Sequence, residues 1–210
     1  MRFGLISDVH CNAIAFDRAL AELKPDVDEI LLLGDLIYEY KFSNAVIDRA
    51  REEGLRSVLG NHELGFLKYG TSKPRPDASE TNIAYLRSMP MRLDIVADGK
   101  KICMVHASPF APFNEYLYAG STILERCSEL DADILLLGHT HVPMAERYHR
   151  TLVVNPGSLG ESRDPTSRLV SYAILDTATE TVELRRFPDP AHDPDAATSS
   201  SNLNPADGEP

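Results

Sequence analysis

The sequence contains no tryptophan, only three cysteines among 210 residues, and no long apolar run. Cys11, Cys103 and Cys127 are odd in number and lack C-x-x-C spacing, which excludes a disulfide frame or zinc ribbon and fits a reducing compartment. The longest apolar stretches, such as residues 30–33 and 134–137, fall far below the ~20 residues that cross a bilayer, so no membrane partner is expected. Met1 leads directly into a strand-like segment without a cleavable apolar leader, so the expected location is cytoplasmic. Positive charge is also scarce. Against 32 Asp and Glu stand 21 Lys and Arg, a formal net charge of −11, which argues against a nucleic-acid polymer or an anionic membrane as partner.

Hydrophobic residues make up 43% and charged residues 25%, ordinary values for a chain that buries one sizeable core. The acidity is uneven. Residues 188–210 hold five acidic residues, no Lys or Arg and five of the fourteen prolines, the composition of a disordered tail. Removing its −5 from −11 leaves −6 on residues 1–187, the expected single domain.

Five short apolar runs, at 2–6, 29–33, 55–59, 101–105 and 133–137, are nearly continuous, as in strands covered on both faces. The segment 13–24 places Ile14, Phe16, Leu20 and Leu23 at helical spacing, with Asn12 as its cap and Pro25 as its stop. A second helix is expected over 43–53, ending at Gly54, and Thr122-x-x-Glu125 reads as a capping box opening a third over 123–130. The strand-like segments 93–97, 152–154, 169–175 and 182–187 have no helices between them and predict a second sheet. The fold class is therefore α/β with two sheets.

A polar cluster follows each of the five buried runs: Asp8-Val9-His10, Gly34-Asp35, Gly60-Asn61-His62-Glu63, His106, and Gly138-His139-Thr140-His141. Sites in open α/β sheets form at the carboxyl ends of strands, so these clusters are expected to converge. Any one histidine there has an ordinary structural explanation, but five crowded with carboxylates at desolvated positions need a neutralising, bridging partner. Divalent metals do that. Asp8, His10, Asp35, Asn61, His106, His139 and His141 are seven oxygen or nitrogen donors, more than one closed tetrahedral site holds and suited to two adjacent ions with open positions. In an extended segment alternate side chains point the same way, so Asp8 and His10 are expected to reach one metal, and His139 and His141 likewise. Gly34, Gly60 and Gly138 stand where the backbone leaves the strand beside the site.

In this order and spacing the motifs resemble those of the calcineurin-like metallophosphoesterases, over about residues 3–187. Asn155-Pro156-Gly157-Ser158, with the strand after it, resembles the small prokaryotic phosphodiesterase branch. The resemblance implies two packed mixed β-sheets flanked by helices, a four-layer αββα sandwich. It implies that Asp8, His10 and His141 hold one metal, that Asn61, His106 and His139 hold the second, and that Asp35 bridges both. The ions expected are manganese foremost, with iron, zinc, cobalt or nickel as alternatives. A metal-bridging hydroxide would attack the phosphorus of a small phosphodiester, and His62 would face the substrate, protonating the leaving oxygen or stabilising phosphoryl charge.

Phosphomonoester hydrolysis by the same site is the nearest alternative. Protein dephosphorylation is disfavoured because Leu36-Ile37-Tyr38 follows Asp35 where Ser/Thr protein phosphatases carry Asp-Arg-Gly. A non-catalytic scaffold, the role of the retromer subunit with this fold, is disfavoured because every metal-ligand position and His62 are intact. Glu63 either orients His62 or, as adjacent residues often do, points away. Residues 155–158 are expected to form a buried turn beneath the ligands, and Cys11 to be a small buried side chain. Phe110, Phe113, Tyr116, Tyr118, Tyr38, Tyr40 and Phe42 either wall the site for an aromatic substrate group or pack as loop cores. Lys68, Lys73 and Arg75, with Pro74 and Pro76, form a basic loop that either guides anions or is simply solvated.

Overall fold

The computed structural model describes residues 1–69 and 77–191. In chain order these form β1 (Arg2–Ile6), α1 (Ala13–Leu23), β2 (Glu29–Leu32), α2 (Asn44–Glu52), β3 (Arg56–Ser57), α3 (Asn61–Tyr69), α4 (Glu80–Ser88), β4 (Arg92–Ala97) and β5 (Lys100–Val105). A 3-10 helix (Thr122–Glu129) follows, then β6 (Ile134–Leu136), β7 (Met144–Tyr148), β8 (Thr151–Asn155), β9 (Val170–Asp176) and β10 (Thr181–Phe187).

The strands make two mixed five-stranded sheets, ordered β10-β9-β1-β2-β3 and β4-β5-β6-β8-β7. Alternation along the apolar runs explains why they stack. Phe3, Leu5, Leu31, Leu33, Ile102, Met104, Ile134 and Leu136 face the layer between the sheets. Their neighbours Ile6, Ile30 and Leu32 face outward onto Phe16, Leu20 and Leu23 of α1 and Val46 and Ile47 of α2. On the other flank Cys103, Val105, Leu135 and Val153 face Leu124 and Cys127 of the 3-10 helix. A strand fed into two cores loses the polar alternation of a half-exposed one, hence its continuous hydrophobicity. The result is the expected four-layer arrangement.

Several expectations change in detail. The five buried runs do not share one sheet: β1, β2 and β3 lie in the first and β5 and β6 in the second, while the β9–β10 hairpin joins the first through β1, with Gly4 opposite Ile174. Asn12 does cap α1, its side chain accepting from Ala15 N at 3.2 Å. The capping box at Thr122 does not form: Ser121 precedes the helix, makes no side-chain cap bond, and the helix is 3-10. Helices α3 and α4 and strand β7 add to the expected elements. Of the segment expected as a tail, the described part begins with a contact, Asn12 Nδ2 donating to Asp189 Oδ1 at 2.8 Å; residues 192–210 lie outside the described residues. Among the described residues no helix is long and apolar enough to cross a membrane.

Candidate metal centre

The carboxyl ends of β1, β2, β3, β5 and β6 point to one edge of the sandwich and bring the five polar clusters together. Parallel pairing continues past the strand ends, with Asp8 N donating to Gly34 O and His10 N to Asp35 O, both at 3.0 Å. The side chains then turn inward through an unusual backbone. Asp8 (φ 52°), His10 (φ 47°), Asp35 (φ 55°), His139 (φ 67°) and His141 (φ 59°) are all left-handed, a conformation that costs non-glycine residues energy and concentrates at functional sites. Asp8 and His10 therefore converge through left-handed kinks, not through extended alternation. Two glycines make room: a Cβ on Gly138 would strike Ser7 Oγ, and one on Gly60 would strike Asp35 Oδ1.

Two fully buried groups of donors result. Asp8, His10 and His141 form the first, and Asp35, His106 and His139 the second; within each, the potential ligand atoms lie within 4.8 Å of one another. His139 and His141 thus separate into different groups, contrary to the expectation from their spacing alone. Asp35 also groups with His10 and His62, so it stands between the two. Asn61 Oδ1 lies 3.1 Å from His106 Nε2.

The hydrogen bonds leave specific atoms uncommitted. Asp8 Oδ2 accepts from Ser7 Oγ at 2.6 Å and from His139 N at 3.0 Å. Its Oδ1, fully buried, has no hydrogen bond and faces the Nε2 atoms of His141 (3.2 Å), His10 (3.8 Å) and His106 (3.9 Å). His106 Nδ1 donates to Leu33 O at 2.6 Å and His141 Nδ1 to Glu161 O at 2.7 Å, which fixes both rings with Nε2 inward. His139 Nε2 is buried and without a hydrogen-bond partner. Buried, unsatisfied N and O atoms aimed at common points are costly as they stand and suit divalent cations. The donor set therefore fits divalent metal ions that take mixed nitrogen and oxygen ligands.

Electrostatics reflect the crowding. Burial pushes His10 and His139 down to about 4. Burial also opposes protonation of His106, but the Asp35 and Asp8 carboxylates outweigh it and push this imidazole up to about 10. For Asp8 burial is likewise outweighed, here by His141, His106 and His10, which hold its carboxyl well below the usual range. Burial and the neighbouring Asp35 charge push Glu63 up to about 7.

His62 sits at the mouth, its side chain 22% exposed, with Nε2 3.9 Å from Asp35 Oδ2. Glu63 points away from it into the protein. The residue beside His62 is instead Glu39, which sequence reasoning missed: its backbone N and its Oε2 both lie 3.4 Å from His62 Nδ1. Nδ1 thus meets both the backbone N–H and the carboxylate of Glu39, which holds the ring with Nε2 facing the site.

The aromatic residues divide. Tyr38 stacks on His10 (4.3 Å between ring centres) and Tyr40 on Tyr38, while Tyr116 stacks on His139 (3.9 Å) and near Tyr118. Phe42 packs on Phe66 in the core and Phe110 is buried under Arg126. Phe113 is exposed. Residues 155–158 form the buried turn: Asn155 Nδ2 donates to Gly138 O at 2.7 Å, and Ser158 Oγ to Asp8 O at 2.8 Å. Cys11 is half-buried, its thiol pushed up by burial and donating to Lys41 O. Lys68 lies over the Tyr69 ring, and Lys73, Pro74, Arg75 and Pro76 lie outside the described residues.

Comparison with known proteins agrees with this geometry. The family model for the calcineurin-like phosphoesterase superfamily domain matches residues 1–180. An uncharacterized protein of Methanocaldococcus jannaschii, MJ0912, is 27% identical, covering 87% of this chain and 86% of its own length. A symmetrical bis(5'-nucleosyl)-tetraphosphatase of Acidovorax ebreus is 33% identical over 51% of this chain and 44% of its own length. Among solved structures, a metallophosphoesterase from Sphaerobacter thermophilus superposes with a TM-score of 0.74 at 25% identity, covering 95% of this chain and 94% of that one. With the match spanning nearly all of the described fold and every strand-end cluster, the chain belongs to the calcineurin-like phosphoesterase superfamily.

Proposed function

We propose that this phosphoesterase is a binuclear enzyme that hydrolyses small phosphodiesters, with residues 1–187 as its catalytic domain. In this reading Asp8, His10 and His141 hold one ion, Asn61, His106 and His139 the other, and Asp35 bridges them. Manganese is the ion expected, and a small phosphate ester, not a nucleic-acid polymer, the substrate. The observation that carries the reading is the pair of buried donor groups, with Asp35 of the second also grouping with His10 of the first, and with Asp8 Oδ1 and His139 Nε2 unsatisfied.

Bound divalent ions supply Lewis-acid charge and an activated water at neutral pH. The chain's own residues do the rest. Asp8 and Asp35 offset part of the metal charge, leaving a cationic centre for phosphate in an acidic protein. His62, outside the two buried groups and with Nε2 facing the site, donates a proton to the departing ester oxygen. The fixed rings of His106 and His141 keep the donor geometry when solvent enters the mouth.

The test is to assay manganese-reconstituted protein on matched aryl phosphodiester and monoester substrates, beside His62→Ala and Asp35→Asn. Faster diester turnover by the wild type, with both variants impaired, is the expected result. Equal rates in all three proteins would overturn the mechanism. The likeness to a bis(5'-nucleosyl)-tetraphosphatase supports adding a dinucleoside polyphosphate to the panel as a second substrate class.

A further inference from the structure

Beside the donor groups lies a cleft of ≈ 230 Å³ whose chemistry is unlike theirs. His106 is common to both. The remaining walls include Leu59, Leu64 and Val105, with Met91 and Phe113 also lining the cleft. Its polar side chains are already engaged: Arg92 grips Asp94 at 2.7 and 3.0 Å, and the Ser108 hydroxyl is bonded to the backbone of Phe110. Such a cleft offers little to a charged ligand and much to an apolar one.

Two further observations favour an occupant. Met91 and Phe113 are 52% and 55% exposed, two large apolar side chains left uncovered on the same concavity. Phe113 is also held at φ 70°, a conformation unfavourable for an aromatic residue, with its backbone N–H bonded to Phe110 O. Size narrows the choice. An apolar cavity of about 150 Å³ takes one benzene ring, and sites for drug-sized ligands begin near ~300 Å³.

We infer that this cleft takes the organic half of the substrate, and that this half is a flat aromatic ring system held by Phe113 and Met91 while the phosphate lies beyond His106. The inference rests on the phosphoesterase reading and narrows it to esters with an aromatic group close to phosphorus. A ring gains both stacking on Phe113 and contact with the Met91 sulfur.

The experiment is calorimetric titration of the manganese-loaded protein with phenylphosphonate and methylphosphonate, which share a headgroup and differ only in the ring. Burial of one ring predicts a phenyl-over-methyl preference of about tenfold or more in the wild type. Met91→Ser and Phe113→Ser, both at exposed positions, are expected to reduce that ratio to about threefold or less. A wild-type ratio under about twofold, or a ratio unchanged in both variants, overturns the inference. If neither phosphonate binds, the phosphoesterase reading fails instead, and 1-naphthol, a ring without phosphate, tests the cleft alone by fluorescence. Binding by the wild type that Phe113→Ser abolishes upholds an aromatic cleft; no difference between them refutes it.

Discussion

Glu63 Oε2 accepts a hydrogen bond from the backbone N–H of Asp35 at 2.8 Å, and this bond ties together the loops that leave two neighbouring strands. The same oxygen accepts from Gly60 N at 2.9 Å and Oε1 from Ile37 N at 3.0 Å, so one fully buried carboxylate ties the loop after β2 to the loop after β3. Asp35 is thereby held in its left-handed conformation between the donor groups. Glu63→Ala would leave three buried N–H groups unpaired, each costing roughly 1–3 kcal/mol, so a loss of at least about 3 kcal/mol is expected in urea denaturation. Glu63→Gln keeps an acceptor and should lose less. An alanine variant as stable as the wild type would contradict this role.

His62 supplies a second prediction, because a proton donor matters in proportion to how badly the leaving group needs a proton. With an alkoxide leaving group, His62→Ala is expected to lower kcat by about 10²–10⁴-fold. With p-nitrophenolate, which departs unprotonated at neutral pH, the loss should be much smaller. Metal content should stay unchanged, since both fully buried groups keep all their donors without His62. A uniform loss across leaving groups would assign His62 to phosphoryl charge stabilisation instead.

Much of this centre was legible in the sequence because strand-end chemistry is local: an apolar run of four or five residues followed by a polar cluster fixes both the strand and the edge where it ends. What escaped depends on partners far along the chain. The N-terminus of α4 is served by Asn44 from α2, whose Oδ1 accepts from Ser79 N and Asn82 Nδ2, and nothing near residue 80 announces it. Thr122-x-x-Glu125 has the letters of a capping box, but the helix it opens is 3-10. The separation of His139 from His141 follows from left-handed dihedrals that an extended-strand reading does not contain. The partner of His62 is Glu39, 23 residues earlier, and its neighbour Glu63 is spent on backbone N–H groups.

Removing the metals exposes a pH dependence whose sign follows from His106. In the metal-free protein its imidazole is pushed up to about 10, above the ordinary 6.5, by Asp35 and Asp8. The folded state then holds a proton that the unfolded chain releases, so this contribution is complete below pH 6.5 and is lost as the pH rises toward 10. Chelator-treated protein should therefore show a falling Tm across that interval, and His106→Gln should flatten the lower part of it. Metal binding must expel the same proton, so metal affinity should rise over the same range. A metal-free Tm that climbs from pH 7 to 9 would refute the assignment.

Tyr116 and Tyr38 make the two donor groups separately addressable. Tyr116 lies nearly face to face with His139, 3.9 Å away and 26° from parallel, and Tyr38 covers His10 at 4.3 Å and 17°. Each ring shields one imidazole of one group and restricts its rotation. Tyr116→Ala removes a contact worth roughly 1 kcal/mol, so the affinity of the ion at Asp35, His106 and His139 should fall about fivefold, while the ion at Asp8, His10 and His141 is unaffected. Tyr38→Ala should do the converse, and phenylalanine at either position should restore binding, because the stacked face and not the hydroxyl makes the contact. A two-site calorimetric titration reads both ions at once. Equal weakening of both sites by either alanine variant would mean that the rings act on the loop as a whole and not on the imidazole each one covers.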